Sequence, residues 1–146
     1  MDRSIESPHQ LINPETLAAP SGFSHAVLAQ SGRTVYIAGQ TATGSDGRIV
    51  GETMASQFAQ AAANVVTALE SAGAQPQHLV SMQIFVTSID EYRQAQREIG
   101  EAYRRHFGRH YPAMALLEVQ RLFDVAAKVE LMCIAVTVGN RKQDPG

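Results

Sequence analysis

The stretch from Val129 to Val136, VELMCIAV, constrains the fold more than any other part of this chain. Period-2 alternation places Val129, Leu131, Cys133 and Ala135 on one face of a strand and Met132, Ile134 and Val136 on the other, so both faces are apolar. A strand of this kind belongs in a sheet covered on both sides. Glu130 is the exception, standing on the Met132 face. Burying a bare carboxylate costs several kcal/mol or more, so Glu130 must be paired, neutralised or in use. A purely structural role would have it hydrogen-bonded to backbone, or to Lys128 or Arg121 nearby. Both readings stay open at this point.

The rest of the pattern supplies elements to surround that strand. His25 to Ser31 and Thr34 to Gln40 are β-prone runs separated by Gly32-Arg33, a spacing that predicts a hairpin with glycine at positive φ. Thr43 to Gly47 marks a loop, and Arg48 to Val50 is at most a short strand. From about Thr53 the period changes: Met54, Phe58, Ala62, Val65, Val66, Leu69 and Ala72 recur at helical spacing, and Gly73 is placed as a stop. Leu79 to Thr87 is a strand. Ser88-Ile89-Asp90-Glu91 fits a capping box, and Tyr92, Ala95, Ile99, Ala102, Tyr103 and His106 make the apolar stripe of a second helix ending near Phe107-Gly108. Tyr111 to Val138 then holds two terminal strands. The order ββ–α–β–α–ββ predicts an α+β domain, a mixed sheet with two helices on one face, over residues 21–138. Residues 1–20, with Pro8, Pro14 and Pro20, read as an extended lead-in, and 139–146 as a frayed tail. Helices on one face leave the other apolar face open, and self-association is the economical way to cover it.

Composition removes several function classes. With a net charge of -2 the chain has no basic field to hold a phosphate backbone, so nucleic acid is not an expected partner. The single cysteine, Cys133, lies inside the apolar strand and is expected to be a buried, inert thiol. The N-terminal segment has no apolar core and no run approaches membrane-spanning length, so a cytoplasmic protein without a membrane partner is expected. Cofactor fingerprints, a phosphate-binding Gly-Lys-Ser/Thr loop and a nucleophile elbow are all absent, and no cofactor is expected. His106 and His110 stand four apart across Gly108 without a third ligand, so no metal is expected either. Arg104, Arg105 and Arg109 suit compensation of a helix dipole, with an anion site as the alternative.

Several ordered pieces over residues 21–138 resemble the Rid (YjgF) family of reactive-intermediate deaminases, also described as endoribonuclease L-PSP-like. They are Ala38-Gly39-Gln40, the helix segment from Gln57 to Val65 with Asn64, Ala72-Gly73, Tyr103 with Phe107, Tyr111-Pro112-Ala113, Glu118-Val119-Gln120-Arg121-Leu122 and Lys128-Val129-Glu130-Leu131. The resemblance implies a chorismate-mutase-like subunit, a homotrimer with sheets facing inward, and small-molecule pockets at the subunit interfaces. It also implies that Glu130 assists proton transfer and water activation. In deaminating members an arginine follows Pro-Ala and grips the substrate carboxylate; here that residue is Met114. Other positions of the family site fall on Leu116, Ala38, Phe23 and Gly100, each departing from the usual cysteine, serine, tyrosine and asparagine. Gln40, Thr41 and Gln120 are further candidates for positioning substrate or water.

Losing an arginine fork removes charge-assisted hydrogen bonds of about 1.5–3 kcal/mol each, so a simple 2-imino acid is not expected to be held in the family's usual way. The function implied is hydrolysis of a reactive enamine or imine to a carbonyl compound and ammonia. The alternatives are a trimer that binds a small apolar or aromatic ligand without chemistry and, more remotely, a ribonuclease or translation inhibitor. Arg121 is the nearest cation in sequence that could replace the clamp, although strand parity opposes it.

Overall fold

A computed structural model describes residues 6–138. Its strands are β1 (Gln10–Ile12), β2 (Ala26–Leu28), β3 (Arg33–Gln40), β4 (Leu79–Val86), β5 (Ala113–Glu118) and β6 (Val129–Thr137), and its α-helices are α1 (Met54–Ser71), α2 (Ile89–Gln94) and α3 (Gln96–Phe107). The main sheet has the order β3-β6-β4-β5, with β4 and β5 parallel and the other pairs antiparallel. The α+β class and the mixed sheet are as the alternation and helical periods required. The expected frayed tail, and residues 1–5 of the lead-in, lie outside the described residues.

The expected hairpin of His25–Ser31 with Thr34–Gln40 does not form. β2 pairs with β1, and β3 pairs with β6 instead. Gly32 is not among the glycines with positive φ, so the tight turn that would have joined the runs is missing. Its backbone lies directly against Thr137, and a side chain there would collide with the Thr137 carbonyl. The nine residues of β6 offer β3 a longer ladder than a short β2 could. The lead-in is likewise tied down: His9 is buried, with one ring nitrogen 2.8 Å from the Val136 carbonyl and the other accepting the Gln30 N–H.

The single second helix of the expectation is two. At Ala95 the backbone departs from helical values, and its N–H is shared between the Glu91 and Tyr92 carbonyls. The apolar stripe survives because the break tightens one turn without reversing the chain. Ser88 caps α2 by accepting the Glu91 N–H, but the Glu91 carboxylate turns to Lys128 at 2.9 Å rather than closing a capping box. Thr53 and Ser56 do form a reciprocal box at the start of α1.

The core lies between the sheet and the helices. Phe58, Val65 and Leu69 of α1 and Ile99 and Phe107 of α3 pack with Ile37, Met82, Leu131 and Cys133. Burial of each large side chain stabilises by about 1.5–3 kcal/mol. Burial also pushes the Cys133 thiol up to about 12, which leaves it protonated and inert. The opposite sheet face is open: Tyr36 is 77% exposed, Met132 42% and Leu117 43%.

One stability prediction follows from the histidines. His110 is buried and bonded through Nε2 to the Leu79 carbonyl, and burial lowers its pKa from 6.5, with that bond opposing and His9 and His78 adding. His78 is lowered too, by burial and then by His9. A depressed folded pKa contributes stability above the unfolded value of 6.5 that is lost as pH falls through the folded value. The melting temperature should therefore be flat from pH 8 to about 7 and decline below about 6.5, and His110→Gln should flatten that decline. An unchanged profile in the variant would show that other groups set the acid limb.

Candidate functional site

Two separate constellations carry the candidate residues, and strand register decides which residue joins which. Met114 aligns with Met82 and Cys133, and Leu116 with Ile84 and Leu131, so both face the helices. Glu130 aligns with Phe85 and, across β4, with Leu117, an odd number of residues from that row. It therefore points to the open face. Within one chain Met114 and Glu130 do not share a cavity.

The helix-side constellation is a cavity of about 520 Å³. Met114, Leu116 and Ile84 form its sheet wall, and Tyr92, Ile99 and Tyr103 its helix wall. The segment from Ser21 to Phe23 closes one side, turned inward at Gly22, which has φ 75°. Ser24 fastens that segment, its hydroxyl donating to the Tyr111 carbonyl at 2.7 Å and its N–H to the Pro112 carbonyl at 3.0 Å. Tyr103 and Tyr111 stack with ring centroids 5.1 Å apart, and the Tyr103 hydroxyl donates to the His110 carbonyl at 2.6 Å. Burial, reinforced by Tyr111, raises the Tyr103 pKa, so this phenol stays a neutral donor. Gly100 also lines the cavity. Glycine inside a helix costs about 1 kcal/mol relative to alanine, and Gly100 does not need positive φ, so its contribution is the space it leaves.

The open-face constellation centres on Glu130. A Cβ built on Gly39 would stand 2.6 Å from Glu130 Oε1 and 2.8 Å from its Cδ, so the carboxylate lies directly over the Gly39 backbone. Among the described residues no hydrogen bond or ion pair reaches it. The structural pairing with Lys128 or Arg121 is thus not formed: Lys128 holds Glu91, and Arg121 is exposed on the loop after β5. Gln40 sits beside a β-bulge between Ile37 and Gln40, its side-chain amide donating to the Ala38 carbonyl at 3.1 Å. Ala38 and Gly39 are exposed.

Two polar residues on the inner side of α1 hold this region in place. Asn64 donates to the Thr41 and Thr43 carbonyls at 3.0 and 2.9 Å, fixing the loop that leaves β3. Gln57, 1% exposed, donates to the Gly51 and Ala126 carbonyls and accepts the Lys128 N–H, fixing the entry to β6 two residues before Glu130. Thr41 bonds to Thr43 and does not extend toward the carboxylate.

Phe23, Gly100, Met114 and Leu116 are thus brought together, whereas Ala38 and Glu130 are on the other face; Gln40 pairs in register with the helix-side Leu131 and its amide reaches the Ala38 carbonyl. Gln120 is exposed and lines no part of the cavity. The sequence reading offered Arg104 only within an alternative anion site at a helix end and did not place Tyr92, Tyr103 or Tyr111 in a cavity. For Tyr103 and Arg104 the signal was present in their helical spacing from Gly100, which puts them on adjoining faces of one turn; Tyr92 and Tyr111 lie on other segments.

Comparison with known proteins places these features in a family. A family model described as endoribonuclease L-PSP matches residues 14–137. The human protein named 2-iminobutanoate/2-iminopropanoate deaminase is 28% identical over 115 residues, covering 78% of this chain and 79% of its own length. Protein mmf2, mitochondrial, of Schizosaccharomyces pombe is 29% identical, covering 85% of this chain and 94% of its own. A crystal structure from Yersinia pestis, YyfB, titled a protein of unknown function of the conserved Rid family, superposes with a TM-score of 0.78 at 33% identity. That match covers 88% of this chain and 98% of the other.

Proposed function

Because the chain belongs to the endoribonuclease L-PSP (Rid) family, we propose that it hydrolyses a reactive imine or enamine, in a site completed where two subunits of a homotrimer meet. The observation that carries this reading is the Glu130 carboxylate, seated over Gly39 on an apolar, open sheet face, with no hydrogen bond or ion pair to it among the described residues. A catalytic acid/base needs that freedom to exchange protons. For an imine, water adds to the carbon while Glu130 takes one of its protons and passes it to nitrogen, giving a carbinolamine; Glu130 then takes the hydroxyl proton and delivers it to the nitrogen as the C–N bond breaks, so that a carbonyl product and ammonia leave. For an enamine, protonation of carbon precedes the same sequence.

The two half-sites face different ways on one chain, so joining them needs a head-to-tail contact, and such contacts close into a ring of three when the rotation between subunits is a third of a turn. A trimer also covers Tyr36, Met132 and Leu117, in line with the family resemblance. Phe23, Met114 and Leu116 would then shape the pocket of one subunit against Glu130, Ala38 and Gln40 of the next. The second reading, a trimer that only binds a ligand, is favoured by the apolar Met114 and Leu116. A ribonuclease role has little support at a net charge of -2.

The test is hydrolysis of a panel of imines and enamines, generated in situ by an amino-acid oxidase and followed by semicarbazide trapping, on protein whose mass is measured by light scattering. Turnover should favour members with a large apolar group, with 2-iminopropanoate slow. A monomer at micromolar concentration would overturn the composite site, and no turnover of any member would leave the ligand-binding trimer in place of the enzyme.

A further inference from the structure

Among the described residues Arg104 is the one charged residue lining the cavity, whose other lining is mostly aromatic and aliphatic. Its guanidinium reaches back one turn, as long helical side chains do, and its Nη1 would be 3.4 Å from a Cβ built on Gly100, with nothing else within 4 Å apart from the neighbouring residues and the helix's own backbone. Gly100 therefore gives Arg104 a path along the helix wall. No acidic partner holds it: on α3 Glu101 pairs with Arg97, and among the described residues no carboxylate bonds to Arg104. Arg104 is exposed and shares the cavity lining with Tyr103, Tyr111 and Met114; a planar guanidinium at such a rim, with no carboxylate partner among the described residues, matches a ligand with an apolar or aromatic body and a single carboxylate, held in a bidentate fashion. A dianion would ask for a second cation, and the described residues of the cavity wall supply none.

We propose that Arg104 is the anion-recognising residue of this cavity, which binds monocarboxylates carrying a bulky apolar or aromatic group. This rests on the reading of the cavity as a ligand site, and it supplies from α3 a cation that β5, with Met114, does not. The carboxylate seats on the helix wall over Gly100. The body of the ligand then lies against Met114, Leu116 and the stacked tyrosines.

The probes are phenylpyruvate and its neutral analogue phenylacetone, titrated calorimetrically into the full-length protein. Wild type should prefer phenylpyruvate by roughly 10- to 100-fold, a preference that shrinks as salt rises. Arg104→Gln should bind both probes equally, at the affinity wild type has for phenylacetone, with an unchanged melting temperature. Arg104→Lys should recover part of the preference. No binding of phenylpyruvate by wild type, no preference over phenylacetone, or a preference that survives in Arg104→Gln would each overturn the proposal. The same samples are assayed for imine hydrolysis. An Arg104-dependent preference without turnover upholds the anion site while the deaminase reading fails; turnover with an Arg104-independent preference defeats the anion site alone.

Discussion

Replacing Glu130 by Gln should slow turnover of any true substrate by about 10²–10⁴-fold and leave the melting temperature almost unchanged. The amide keeps the size of the side chain and its packing over Gly39, but it cannot shuttle a proton. Because no hydrogen bond from the described residues ends on the carboxylate, the substitution breaks none of theirs. A structural carboxylate would behave oppositely, since removing one partner of a buried charged set costs several kcal/mol. Gly39→Ala provides a second view of the same geometry: its methyl group would stand 2.6 Å from Oε1, too close to keep, and push the carboxylate aside, lowering turnover while the strands remain paired. Wild-type rates in Glu130→Gln, or a melting temperature lowered with unchanged turnover, would remove Glu130 from the chemistry.

The largest stability effect is expected at Gln57. Leucine there preserves the volume yet abandons the Gly51 and Ala126 carbonyls and the Lys128 N–H. Each buried backbone group left without a partner costs about 1–3 kcal/mol, so the total should be about 3 kcal/mol or more. For a chain of this size that corresponds to a melting temperature lower by roughly 6–12 °C. Since Gln57 also fixes the entry to β6, catalysis should weaken alongside stability. Urea denaturation with an unchanged m-value would place the loss in the folded state. A shift within about 2 °C would mean that water or a shifted loop satisfies those groups.

Gln57 and Asn64 show how far a sequence signature can be understood before a structure exists. Both were visible as part of a resemblance, in a helix whose apolar period was plain. Neither could be assigned a partner, because their bonds run to Gly51, Ala126, Thr41 and Thr43, and such pairings depend on loop paths that no local pattern specifies. The hairpin failed for a related reason: local turn propensity favoured β2 with β3, but the longer ladder offered by β6 won. The division of α2 from α3 at Ala95 left the apolar stripe in phase, so the sequence carried no mark of it.

By itself the sequence determined the class of fold and the identity of the residue to explain. Alternation in β6 required a sheet with two apolar faces, helical spacing required α1 and α3, and a lone carboxylate in that strand singled out Glu130. Those are short-range consequences of side-chain period, which a strand or helix cannot evade. Tertiary structure decided the rest. The register of β5 against β4 put Met114 and Leu116 on the helix side and Glu130 on the other, since a shift of one residue exchanges the faces. It also turned Arg104, one of three arginines near a helix end, into the single charge among the described residues of a largely aromatic and aliphatic cavity, because only the fold sets α3 and β5 as opposite walls of that space.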